Sequence, residues 1–154
     1  MSTIPFPTID EIQEDIIAEF QSLGGDRSSI LTYITELGEK MPPLDASYKT
    51  NHNLISGCKS KAWLIYKKQG DRLFFEADSN TAITKGLVSL LVRVLSGQRL
   101  EDIIRTHLHF VARIGMLQHI GSQRAGGFGS MLKEMKLIAI TEGERDKQEA
   151  SAAH

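Results

Sequence analysis

Lys61-Ala62-Trp63-Leu64-Ile65-Tyr66-Lys67-Lys68, then Gln69-Gly70-Asp71, then Arg72-Leu73-Phe74-Phe75-Glu76-Ala77-Asp78, is the stretch that decides this fold. Two apolar and aromatic runs flank a Gly-Asp turn, which is a hairpin signal. In the second run Leu73, Phe75 and Ala77 alternate with Phe74 and Glu76. A period of two turns one face of a strand to a core. The pattern predicts strands over Lys61–Lys68 and Arg72–Asp78.

Toward the C-terminus, Asp78, Ser79 or Asn80 can cap a helix that runs to about Ser96, with Gly97 as its stop. Ile83, Leu87, Val88, Leu90, Leu91, Val92, Val94 and Leu95 leave that helix little polar face, so it is predicted to be the buried centre. Shorter helices are predicted over Leu100–Arg105 and Leu108–Gly115. Ser122 is placed to cap a last helix with Phe128, Leu132, Met135 and Ile138 inward. The stretch from Thr141 to His154 is polar and reads as a frayed tail.

Toward the N-terminus, Thr8-Ile9-Asp10-Glu11 is a capping-box pattern. Ile9, Ile12, Ile16, Phe20 and Leu23 follow near helical spacing, and Gly24-Gly25 ends the run. Asp26 can cap a second helix carrying Ile30, Leu31, Ile34 and Leu37, closed by Gly38 and Pro42-Pro43. Residues 44–53 read as loop. The expectation is an α+β fold: a small antiparallel sheet, the hairpin with a possible third strand, packed against several helices. Residues 1–154 are read as one domain, with 1–7 and 141–154 as flexible tails.

Composition narrows the function. The charged share of 24% and hydrophobic share of 41% are those of a globular protein. A net charge of −1 argues against nonspecific nucleic-acid binding, which needs a basic surface. No apolar run approaches a membrane span. Met1-Ser2-Thr3-Ile4-Pro5-Phe6-Pro7 has neither the basic nor the apolar region of a secretory signal. One cysteine fits the reducing cytosol, so a cytoplasmic protein is expected.

That cysteine is the candidate for chemistry, to be weighed against an inert role. Cys58 stands in Leu54-Ile55-Ser56-Gly57-Cys58-Lys59-Ser60-Lys61, just before the hairpin. A lone thiol cannot form an internal disulfide or a Cys-rich metal site. Free cysteine is most often a small buried hydrophobe, but Gly, Ser and Lys neighbours are unusual company for that role. Gly57 permits a sharp turn. Lys59 and Lys61 favour thiolate over a thiol whose ordinary pKa is about 8.5.

Other polar residues are weighed against plainer roles. Asp78 is first a helix cap, and alternatively a group that orients the neighbourhood of Cys58. His119 and Arg124 flank the turn Gln118-His119-Ile120-Gly121-Ser122-Gln123-Arg124. His119 could serve Cys58 as base or charge partner, or be structural. Arg124 gains nothing from the dipole at a helix start, so partner or carboxylate binding competes with an idle surface role. Gly126-Gly127-Phe128-Gly129 follows no strand and lacks Gly-Lys-Ser/Thr, so close helix packing explains it better than a phosphate cradle. His107 and His109 make a weak zinc pattern.

Three blocks together resemble the SufE family of cysteine desulfuration proteins. They are Asn53 through Leu64 around Cys58, Ala77-Asp78-Ser79-Asn80-Thr81-Ala82 through Leu87, and Ile114-Gly115-Met116-Leu117-Gln118-His119-Ile120 through Arg124. The resemblance covers roughly Tyr33 to Ala139. It implies that Cys58 accepts sulfane sulfur from a SufS-like pyridoxal-phosphate cysteine desulfurase and stimulates that enzyme. The sulfur would then pass to a SufBCD-like iron–sulfur scaffold complex. Such a protein is a sulfur-transfer accessory with a covalent persulfide rather than a stand-alone enzyme, and needs no cofactor or metal of its own. Gly57, Lys59, Asp78, His119 and Arg124 would support the site or bind partners. The chain departs from the family pattern at Lys59, where Gln is common, and at Gly121-Ser122-Gln123-Arg124, which lacks the usual proline.

The relay also makes physical sense. A second thiol would attack a new persulfide, release sulfide and form a disulfide. Partial shelter of Cys58 against the hairpin and the third block is expected to slow its oxidation. Two other readings stay open: a thiol hydrolase using Cys58 and His119, and a metal or cluster scaffold. The second is disfavoured because clusters take four cysteine ligands.

Overall fold

The computed structural model describes residues 6–57 and 60–152. Cys58 and Lys59 lie outside the described residues, as do 1–5 and 153–154.

The hairpin forms as its pattern predicts. Strand β1 (Ala62–Gln69) pairs antiparallel with β2 (Arg72–Ser79), in a register that sets Trp63 opposite Asp78 and Gln69 opposite Arg72. The expected third strand is β3 (Gln98–Arg99), which pairs antiparallel with β2 and completes a sheet of order β1-β2-β3. Leu64, Leu73, Phe75 and Ala77 are buried on the core face. At the end of β2 both Ala77 and Asp78 are buried, so both faces of the sheet are covered there.

Helix α1 (Ile9–Gln21) opens on Thr8, whose hydroxyl accepts the Glu11 N–H at 3.1 Å. Helix α2 (Arg27–Lys40) opens on Asp26, whose carboxylate accepts the Ser29 N–H at 3.0 Å. Gly38 does not close α2, which runs on to Lys40. Gly38 lies within the helix because it meets Gly86 of the core helix backbone to backbone: a methyl on either glycine would collide with the opposite main chain. The two glycines are there for close approach, not for termination.

The central helix, α3 (Ala82–Leu95), is the apolar one. Leu87, Leu90, Leu91, Val94 and Leu95 are almost wholly buried, and each contributes roughly 1.5–3 kcal/mol relative to exposure. Its cap is Thr81, which makes no side-chain capping bond. None of Asp78, Ser79 and Asn80 fills that position, because β2 continues to Ser79 and pushes the helix start downstream.

Three short helices follow: α4 (Leu100–Arg105), α5 (His109–Arg113) and α6 (Met116–Ile120). Buried Gln13 of α1 fixes the start of α5. Its side chain accepts the Phe110 N–H at 3.1 Å and donates to the His107 carbonyl at 3.2 Å. The turn read around His119 is narrower than expected, since His119 is helical and Gly121 alone separates α6 from the last helix.

That last helix, α7 (Ser122–Ala152), spans 31 residues. Where the sequence suggests a frayed tail from Thr141, the structure continues the helix. Tyr66 donates to Glu142 at 3.3 Å, and Lys68 pairs with Asp146 at 2.9 Å, tying the late turns of α7 to β1. Phe128 and Met135 face inward as expected, with Met131 and Ala139, while Leu132 and Ile138 are half-buried.

Candidate functional site: the cysteine turn

Leu54 and Ile55 pair against the start of β1. Leu54 bridges antiparallel to Trp63, and the Ile55 N–H donates to the Ala62 carbonyl at 2.9 Å. The incoming limb is thus paired against β1, with Ile55 buried in the core. Gly57 follows at φ +88°, where a side chain is strained. It packs directly on Ser130 of α7: a methyl on Gly57 would run into Ser130 Oγ and lie 3.3 Å from its Cβ.

The outgoing limb is stapled to the end of β2. Lys61 donates its N–H to Asn80 Oδ1 at 2.9 Å. Its carbonyl accepts from the Asn80 N–H at 3.0 Å and the Ser79 hydroxyl at 2.8 Å. Thr81 Oγ1 donates to Ser60 Oγ at 3.0 Å. Cys58 is bracketed in sequence by these two limbs. The expected shelter of Cys58, and the charge Lys59 would lend it, fall outside the described residues.

Asp78 sits beneath this staple and is buried at 2% exposure, so its charge needs compensation. Its carboxylate accepts the Leu44 N–H at 2.9 Å and the Ser79 N–H at 2.8 Å. It also pairs with Lys49 at 3.1 Å and Lys85 at 3.5 Å. Burial is the largest single influence and pushes its pKa up. The two amides and two ammonium groups together outweigh it, so Asp78 titrates below the ordinary carboxylate value. Lys49 also lies 5.4 Å over the Trp63 ring. Asp78 therefore joins the 44–49 segment, the end of β2 and the first turn of α3. It is not the α3 cap; its neighbours Ser79 and Asn80 hold the turn.

His119 lies in α6 and Arg124 in the first turn of α7. His119 is half-buried, and its carbonyl accepts from Arg27 Nε at 3.2 Å. Arg124 is exposed in the first turn of α7, with Nη1 3.5 Å from the Ile120 carbonyl, the outer limit of a hydrogen bond. Among the described residues, no hydrogen bond or ion pair joins either one to Asp78 or Gly57. Gly127 and Phe128 are buried, whereas Gly126 and Gly129 are exposed with open space around them, so close packing accounts for only part of that run. His109 pairs with Glu14 at 3.0 Å. No cluster of His, Cys, Asp and Glu among the described residues could hold a metal ion, and no described helix is long and apolar enough to cross a membrane.

Sequence reading misses Lys49, Lys85 and Ser130, and takes Asn80 only as a helix cap. Gly126 and Gly129 have open space around them, so the glycine run does not mark the approach of Gly57 to Ser130.

The family described as "SufE: Fe-S metabolism associated domain" matches residues 14–139. The chain belongs to the SufE family. It is 36% identical over 109 residues to an uncharacterized SufE-like protein of Rhizobium meliloti (strain 1021), covering 68% of this chain and 78% of that one. It is 31% identical over 134 residues to a SufE-like protein of Rhizobium etli, covering 84% and 87% of the two chains. It is also 31% identical over 144 residues to SufE-like protein 1, chloroplastic/mitochondrial, of Arabidopsis thaliana. That match takes in 91% of this chain but only 38% of the longer plant protein. A solution structure of a hypothetical protein from Thermus thermophilus shares the fold, with a TM-score of 0.68 at 15% identity over 84% of this chain and 94% of that one.

Proposed function

We infer that this SufE-family protein is a sulfur acceptor and carrier, with Cys58 as the acceptor. The supporting observation is the position of the chain's single thiol in the sequence. It falls between two anchored limbs, in a domain whose family is associated with Fe–S metabolism. The donor is a cysteine desulfurase carrying a persulfide. The Cys58 thiolate attacks the outer sulfur of that persulfide, forming the new S–S bond as the donor's S–S bond breaks. The donor leaves as a thiolate, and Cys58 holds the persulfide. No oxidant or reductant is consumed, so atoms and electrons balance. A second exchange hands the sulfur to the iron–sulfur assembly machinery.

The arrangement suits an acceptor more than a stand-alone catalyst. The residues on either side of Cys58 are anchored, Gly57 against Ser130 and Ser60 and Lys61 to Ser79, Asn80 and Thr81. No second cysteine in these 154 residues is available to resolve the persulfide. Asp78, Lys49 and Lys85 set the platform under the turn. Exposed Arg124 and half-buried His119 are available to a partner. Cytoplasmic placement and the single-domain reading of residues 1–154 belong to the same proposal.

The test is desulfurase turnover with wild type and with Cys58→Ser. Wild type should raise turnover and the serine variant should not. Equal stimulation by both would reject the reading.

A further inference from the structure

The outward side of α7 carries apolar side chains exposed to solvent. Phe128, Met131, Met135, Ala139 and Glu142 are buried and turn one side of this helix to the core. At 3.6 residues per turn, Lys133, Leu137, Ile140 and Glu144 fall within about 60° of arc on the opposite side. Leu137 and Ile140 are 49% and 45% exposed. Ile104 of α4, also exposed, lines a depression beside Ile140 and widens the patch. A single exposed leucine is ordinary, whereas adjoining apolar side chains framed by charge mark a contact surface. Tyr66 and Lys68 hold the other side of the late turns on β1, through Glu142 and Asp146, so the stripe is presented on an anchored helix.

The charges indicate what covers this stripe. Its four positions are spaced four, three and four residues apart, an order that reads the same in both directions. A second α7 laid antiparallel, about a two-fold axis between residues 137 and 140, sets Leu137 against Ile140 of the other copy. The same axis sets Lys133 against Glu144 of the other copy. Each contact occurs twice in such an isologous pairing, so opposite charges flank an apolar centre at both ends. A parallel pairing in register would set Lys133 against Lys133 and Glu144 against Glu144, which repel. Within its own chain Glu144 lies 3.7 Å from Lys147, a loose pair of largely exposed side chains that leaves room for a second cation.

We propose that α7 is a self-association surface, on which a second copy of this chain docks its own α7 antiparallel through Leu137 and Ile140, with Lys133 and Glu144 setting the register. The contact is one helix wide, so it is a reversible association rather than a permanent dimer. It makes no use of Cys58 and can fail without the relay failing.

The experiment is sedimentation equilibrium of the full chain from micromolar to millimolar concentration, which reads the monomer–dimer balance. Wild type should dimerise within that range. Ile140→Asp places two carboxylates at the apolar centre and should weaken the dimer by more than about tenfold. Lys133→Glu and Glu144→Lys each turn two attractive contacts into two repulsive ones and should weaken it about tenfold. Combining those two restores opposite charges across the axis and should bring the dimer back. All three positions are exposed, so helix content by circular dichroism should match wild type in every variant. A wild-type chain that stays monomeric at every concentration would give this face to a different partner and overturn the proposal. A dimer indifferent to Ile140→Asp, or charge variants whose losses merely add when combined, would overturn it as well.

Discussion

The limb that leads into the cysteine turn and the limb that leaves it are held by different forces. Ile55 and Gly57 are held mainly by packing, one in the core and one on Ser130. Ser60 and Lys61 are held mainly by hydrogen bonds to Ser79, Asn80 and Thr81, with Asp78 fixing the platform below. Packing contacts are numerous, weak singly, and lost by small displacements. Hydrogen bonds to anchored side chains fix direction and resist displacement at one point. The two limbs are thus anchored by different means on either side of Cys58 in the sequence.

The largest expected break in this contrast is Asp78→Asn. It removes the charge that two lysines and two amides compensate, so Lys49 and Lys85 lose their partner and the end of β2 loosens. We expect a loss of about 2 kcal/mol by denaturant unfolding, less than for a wholly buried pair because both lysines are part-exposed. Faster Cys58 alkylation should accompany it. An unchanged midpoint would show that the platform does not bear on the turn.

Asn80→Ala is smaller and more local. It strips the acceptor from the Lys61 N–H, at a cost of about 1 kcal/mol. The outgoing limb should loosen, detected as faster exchange of the Lys61 amide hydrogen with solvent. If that amide exchanges as before, the outgoing limb is not bonded as described.

Acid sharpens the same point. Asp78 has a folded pKa below its ordinary value of 3.8, so the folded state binds its proton less readily than the unfolded chain. Its contribution to stability is complete above about that ordinary value and is lost as the pH falls through the lower folded one. The stability gap between wild type and Asp78→Asn should therefore narrow on acidification below pH 4 or so. A gap that widens would contradict the assigned direction.

Arg124→Ala is the smallest change. The side chain is exposed and its one bond is marginal, so stability should stay within about 0.5 kcal/mol. Any effect should appear in desulfurase stimulation instead. A large stability loss would make Arg124 structural.

Much of the scaffold was legible because its signals are local. Thr8 and Asp26 cap the helices they announce, and the alternation of Leu73, Phe75 and Ala77 gives the buried face of β2. Three features were hidden because they depend on partners distant in sequence. Gly38 reads as a stop until Gly86 is seen against it. The segment after Thr141 looks like a tail, although its Glu, Lys, Gln, Ala and Arg are strong helix formers, and β1 supplies Tyr66 and Lys68 to hold it. Asp78 looks like a cap because it precedes a helix, yet its ligands come from Leu44 and Lys49 across a loop. At the site, Cys58 and Gly57 stood out by composition, whereas Ser130 could not, since no spacing links positions 57 and 130.

The most direct test of the central claim is to follow isotopically labelled sulfur from cysteine, with the desulfurase and this protein mixed and the acceptor read by intact mass and peptide mapping. The account predicts one labelled sulfur on the peptide that contains Cys58. Label that stays on the desulfurase, or leaves as sulfide without ever residing on that peptide, would contradict it.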